Sequence, residues 1–184
     1  MQWLSFWDHQ LLLGIAAHLR ADWLTPILYV LTTINNHGEI WLLLALICLL
    51  RPNTRRCGAA MLTALVFGLL VGNVGLKPLV ARPRPFQTYT DLTTLIPPPG
   101  GFSFPSGHTL SSFTAATACF CFFRRPGVAC YVLACLIAFS RLYFCVHYPT
   151  DVLCGAILGV VLGVLAARLT DWTADSIRFA RIKR

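Results

Sequence analysis

CGAAMLTALVFGLLVGNVGL, residues 57–76, runs for twenty positions without a charged side chain. About twenty apolar residues in a helix cover the hydrocarbon thickness of a bilayer, so this stretch reads as a membrane span. Stretches 128–140 (VACYVLACLIAFS) and 152–167 (VLCGAILGVVLGVLAA) are likewise uncharged but shorter. Across 184 residues the chain is 57% hydrophobic and only 12% charged, where a soluble domain carries roughly twice that share of charge. The composition describes an all-α, polytopic transmembrane helical bundle.

Moving outward from 57–76, spans are expected at about 57–77, 107–123, 128–146 and 150–168. Short basic clusters punctuate them: Arg51, Arg55 and Arg56; Arg124 and Arg125; Arg178, Arg181, Lys183 and Arg184. The positive-inside rule places these in the cytoplasm, so residues 78–106 and 147–150 fall outside the cytoplasmic membrane. The net charge of +8 is explained by these clusters and does not call for nucleic acid as a partner. The bilayer itself is the partner that the sequence requires, and the oligomeric state is left open.

The region before residue 51 permits two readings. Stretches 23–34 and 40–50, separated by NNHGE, are each about half the usual span length. They form either a hairpin of two short spans, or one span at about 37–53 with 22–35 lying along the outer leaflet. The total is about five or six spans. Residues 3–19 look amphipathic and interfacial, with Trp3 and Trp7 suited to the headgroup zone. No cleavable leader is expected. The chain reads as a single domain over 1–184, with a core at about 22–168 and a basic cytoplasmic tail at 169–184.

Smaller features have structural readings. Gly155, Gly159 and Gly163 form a stripe that lets a neighbouring helix approach. Asn73 is expected to make an interhelical hydrogen bond. The eight cysteines lie in or beside apolar runs without a CxxC pair and read as packing residues. The loop 85–104, with its PPPGG, is either a rim or lid, or simply a connector.

Polar chemistry gathers in three islands, all at the outer ends of spans: KPLVARPRP (77–85), FPSGH (104–108) and SRLYFCVHYPTD (140–151). Charge at membrane depth is costly and usually faces a bundle interior or a watery cavity. Lys77, Arg82, Arg84 and Arg141 suit an anion with several oxygens. Arg82 could equally snorkel toward headgroups. Ser106 and Gly107 precede a helix whose N-terminal N–H groups would point at the same anion. His147 with Asp151 at a proline corner suits a nucleophile or base, and His108 suits a general acid. Cations crowd these islands while carboxylates are scarce, so no metal and no cofactor are expected.

The islands match an ordered set of motifs: Lys77 with Arg84-Pro85, Pro105-Ser106-Gly107-His108, and Ser140-Arg141 with His147 and Asp151. On these the chain resembles the type 2 phosphatidic acid phosphatase family of membrane lipid phosphatases over roughly 22–168. The resemblance implies that His147 attacks phosphorus to form a phosphohistidine while Asp151 orients it. It implies that His108 protonates the leaving oxygen and then activates water. Lys77, Arg84, Arg141, Ser106 and Gly107 would bind the phosphoryl group; Arg82 lies outside the strict motif. The family also includes soluble vanadate-dependent haloperoxidases, which the hydropathy sets aside.

The implied partner is a lipid phosphate substrate met on the extracytoplasmic face, with undecaprenyl pyrophosphate first. Phosphatidylglycerol phosphate or phosphatidate is the alternative, and an anion transporter or channel is the non-enzyme reading.

Overall fold

The computed structural model describes the backbone of residues 2–182 and the side chains of residues 3 and 5–176. The side chains of the tail cluster Arg178, Arg181, Lys183 and Arg184 lie outside the described residues. Among those described, every regular element is helical.

In chain order the helices are α1 (Gln2–His18), α2 (Leu24–Thr33), α3 (Glu39–Leu50) and α4 (Arg55–Gly68). The last continues without a break through a π-helical stretch, Leu69–Leu76, into the single turn α5 (Lys77–Val80). Then come the short α6 (Pro85–Thr88), α7 (Gly107–Phe122), α8 (Arg124–Tyr143) and α9 (Pro149–Ile182). Among the described residues, three stretches are long and apolar enough to cross a membrane: Pro52–Thr88, Arg124–Tyr143 and Pro149–Ser176. The expected span at 107–123 is a 16-residue helix, most of whose middle is buried against its neighbours.

The ambiguity before residue 51 resolves through α2. Near its start the Thr25 hydroxyl lies 2.7 Å from the Tyr143 hydroxyl. Near its end Thr32 accepts from Arg141, and just beyond, Asn35 donates to the His108 carbonyl at 3.2 Å. Those partners sit at one end of α7 and α8, so α2 lies across that end instead of traversing the bundle. The chain turns into α3 at Gly38, whose φ of +83° is open to glycine at little cost. A Cβ there would meet nothing within 4 Å, so glycine serves the backbone and not the packing.

Other boundaries differ from expectation. The span expected at 128–146 ends at Tyr143, and residues 144–148 form a turn with Cys145 at φ +54°. α9 runs past 168 to Ile182, because 169–182 contains neither Gly nor Pro to stop it. At the end opposite α2, Arg56 reaches Asp171 at 3.8 Å and Asp175 at 3.4 Å.

Small residues hold the middle together. Ala60, Ala64, Ala115, Ala116 and Ala118 are fully buried around Trp41, Met61 and Ile137. The glycine stripe of α9 packs against α7 as anticipated: a Cβ on Gly159 would stand 2.7 Å from Phe113 Cβ, and one on Gly163 2.5 Å from Thr117 Cβ. All eight cysteines are free thiols.

Candidate active site

The fold brings the three polar islands to one end of the bundle. The π-helical stretch widens the last turns of the α4 segment and delivers Lys77. Arg84 precedes α6, Gly107 and His108 open α7, Arg141 lies in the last turn of α8, and His147 sits in the turn before α9. All six line a single cavity of about 850 Å³. Its upper rim includes Pro97 and Pro99, so the PPPGG loop is part of the cavity wall. Its lower walls are apolar, with Leu62, Leu65 and Leu69 from the α4 segment.

His147 is buried and held from both edges. Nδ1 lies 3.6 Å from Asp151 Oδ2, just beyond hydrogen-bond length. The Ser103 hydroxyl sits between them, 3.5 Å from Nδ1, and donates to the same Asp151 oxygen. On the opposite edge, Nε2 lies 3.3 Å from Arg84 Nη1. An arginine can only donate, so Nε2 holds the lone pair and Nδ1 carries the proton facing Asp151. Burial pushes the imidazole down to about 4; Asp151 pulls upward, while Arg141 and Arg84 add to the depression. At neutral pH the ring is therefore uncharged, with its lone pair on the Arg84 side.

His108 is oriented differently. Its Nε2 faces two acceptors, the Thr32 carbonyl at 3.2 Å and Asn36 Oδ1 at 3.4 Å, so that nitrogen carries the proton and Nδ1 the lone pair. The corner between α2 and α3 thus sets the tautomer of the second histidine.

The cations fall into two groups. Among the described residues, Lys77, Arg84 and Arg141 make no ion pair with a carboxylate. Arg84 is fixed by carbonyls: Nε donates to Gly101 at 3.0 Å, Nη2 to Gly100 at 2.9 Å and Nη1 to Val146 at 2.9 Å. Gly101, at φ +71°, is what lets the loop present two successive carbonyls to one guanidinium. Arg141 donates to Thr32 and keeps a buried Nε without a hydrogen-bond partner.

Arg82 belongs to neither of its expected settings. Its two terminal nitrogens bond Asp151 Oδ1 and Asp8 Oδ2, each at 2.7 Å, and its guanidinium lies 3.7 Å above the Tyr148 ring. Both of its terminal nitrogens are thus engaged by carboxylates.

Asp151 is fully buried, and besides Arg82 and Ser103 it accepts from the Tyr148 N–H at 2.9 Å. Ser106 caps α7 but is fully buried and does not line the cavity; its hydroxyl accepts from Thr109 at 3.0 Å, and its N–H donates to the Asp151 carbonyl at 3.2 Å. Gly107 does face the cavity: a Cβ there would stand 3.3 Å from Asn73 Oδ1 and 3.7 Å from Lys77 Nζ. Asn73 is exposed and lines this space, and among the described residues its side chain makes none of the expected interhelical hydrogen bonds.

Sequence reasoning missed Asp8, Ser103, Thr32 and Asn36. Ser103 stands three residues before Ser106 in FSFPS, and Asp8 is the one acidic residue in the sequence of α1. Those were the available signals.

A family model described as the PAP2 superfamily matches residues 57–175, more than half of the chain. The chain belongs to the PAP2 superfamily. Among PAP2 relatives, an undecaprenyl-diphosphatase of Sulfolobus acidocaldarius is 30% identical over 71% of this chain and 63% of its own length. A decaprenylphosphoryl-5-phosphoribose phosphatase of Mycobacterium tuberculosis is 33% identical over 73% of this chain and 74% of its own. The crystal structure of a PAP2-type phosphatidylglycerolphosphate phosphatase from Bacillus subtilis superposes with a TM-score of 0.76 at 25% identity, covering 93% of this chain and 88% of that one. The chain spans between 48% and 63% of the length of the first curated relatives it matches.

Proposed function

We propose that this PAP2 protein is an integral-membrane lipid phosphatase that works through a phosphohistidine, without metal or cofactor. The observation that carries the reading is the pairing, in one cavity, of three cations lacking carboxylate partners with a neutral His147. Unpaired cations suit the phosphoryl oxygens, and the spare buried Nε of Arg141 is a donor of the right kind. Gly107 permits close approach of the α7 N-terminus to that anion.

In this reading His147 Nε2 attacks phosphorus, and the bond from phosphorus to the leaving oxygen breaks. Asp151, with Ser103, stabilises the imidazolium character that develops at Nδ1. His108, protonated at Nδ1 once the anionic substrate is bound, gives that proton to the leaving oxygen, and the emptied Nδ1 then takes one from the water that releases phosphate from His147. The apolar walls accept the lipid tail while the cations hold the headgroup.

For the substrate we favour undecaprenyl pyrophosphate, hydrolysed on the extracytoplasmic face of the cytoplasmic membrane. The support is the outward topology set by the basic clusters, together with a relative named for that activity. Phosphatidylglycerol phosphate or phosphatidate is the second choice.

Phosphate release by detergent-solubilised protein, with EDTA present, tests the reaction. Activity lost in His147→Ala and in His108→Ala supports it, and release unchanged in both variants sinks it. A panel of lipid phosphates compared by kcat/KM tests the substrate; undecaprenyl pyrophosphate among the poorest would overturn that choice.

A further inference from the structure

The geometry points to Asp8, on the N-terminal helix α1, as a positioning residue that sets the His147–Asp151 pair through Arg82. The inference rests on the phosphatase reading for its role in turnover, and on contacts alone for its placement.

Asp8 is a carboxylate only 2% exposed on a helix whose other face shows Trp3, Phe6 and Trp7. Burying such a charge is costly unless it is paired and hydrogen-bonded. Its bonds run to Thr150, the neighbour of Asp151, and to Arg82, which itself bonds Asp151. Oδ1 accepts from the Thr150 N–H at 3.0 Å; Oδ2 accepts from the Thr150 hydroxyl at 2.6 Å and from Arg82 Nη2 at 2.7 Å. Thr150 is the second residue of α9 and Asp151 the third. Asp8 therefore caps α9 from another helix, where a negative charge also meets the favourable end of the helix dipole.

Arg82 completes the linkage. Nη1 donates to Asp151 Oδ1 and to the Thr150 hydroxyl, both at 2.7 Å, and the Arg82 carbonyl accepts from the Ser103 N–H at 2.8 Å. One residue thus fixes an oxygen of Asp151 and the backbone of the serine that bonds the other oxygen. With Asp8 in place, Arg82 is shared between two carboxylates. Without it, Arg82 has a single carboxylate partner and the first turn of α9 loses its cap. The Asp151 carboxylate would then shift relative to Nδ1 of His147, with Arg84 and Arg141 bearing on the same ring from the cavity side.

Asp8→Asn keeps the size and removes the charge. We expect kcat to fall about 10- to 100-fold with KM within about threefold, since misplacement of a catalytic pair costs turnover more than binding. Asp8→Glu should restore part of kcat. Arg82→Lys should give the same kcat-selective loss from the other side of the linkage.

The ¹⁵N imidazole resonances of His147 in micelles give a readout independent of turnover, and Asp8→Asn should shift them. A kcat within twofold of wild type in Asp8→Asn overturns the inference, as does a fall in kcat with the His147 resonances unmoved. If the wild-type protein released no phosphate from any lipid, the phosphatase reading would fail, and the resonances would still decide the placement.

Discussion

Arg84 and His147 meet edge to edge, Nη1 to Nε2 at 3.3 Å, on the side of the ring away from Asp151. The same guanidinium is anchored by carbonyls of Gly100, Gly101 and Val146, so its position is set by the loop as much as by its charge. Lysine offers the charge without the fork. Arg84→Lys should lower kcat/KM for phosphate release by about 100-fold, with Arg84→Ala lower still. A lysine variant within threefold of wild type would show that charge alone matters at this position.

Ser103 stands between His147 and Asp151. Ser103→Ala removes the hydroxyl bonded to Asp151 Oδ2 and leaves that oxygen the Tyr148 N–H. A loss of about one hydrogen bond predicts kcat lowered about tenfold, with KM little changed. Steady-state kinetics on the purified variant check this.

His147 also makes stability depend on pH. Its folded value, near 4, lies below the ordinary 6.5, and burial is the largest cause. Between these values the unfolded chain binds the proton that the folded chain refuses. Stability should therefore fall as pH drops from about 6.5 toward 4 and be flat with respect to this group above that range, the full effect being on the order of a few kcal/mol. Thermal unfolding in detergent should show a shallower acid slope for His147→Gln than for wild type.

The glycine stripe gives a packing test with an internal control. A Cβ on Gly163 would meet the Thr114 carbonyl at 2.7 Å as well as Thr117, so backbone must move. Gly163→Ala should cost about 1–3 kcal/mol. Gly14, in α1, has nothing within 4 Å of a built Cβ. Gly14→Ala should be neutral or stabilising by up to about 1 kcal/mol, from helix propensity alone. Equal melting shifts in the two variants would contradict the packing account.

What the sequence disclosed, and what it withheld, follows from the range of each interaction. The run 57–76 announced its span because bilayer thickness acts on consecutive residues. His147 and Asp151 were legible because four positions and a proline define their corner locally. The stretch 24–33 was not, since an apolar segment of ten residues is equally at home crossing or lying flat, and only contacts such as Thr25 with Tyr143 distinguish the two. Arg82 was misread for a similar reason. Its partner Asp8 is 74 residues away, and no spacing rule connects them. The π-helical turns that deliver Lys77 left no trace either, because Leu69–Leu76, apolar apart from Asn73, reads as an ordinary stretch of span.

Leu42, Val66 and Leu69 line the cavity, and each is 45–53% exposed. On the proposed lipid-phosphatase reading, a cavity walled by such exposed apolar residues would admit an amphiphile sideways, its tail still solvated by acyl chains. Encounter then takes place in two dimensions. On that reading the variable that governs rate is the substrate's mole fraction in the micelle or bilayer, and added detergent should slow turnover by surface dilution even when bulk substrate is held constant.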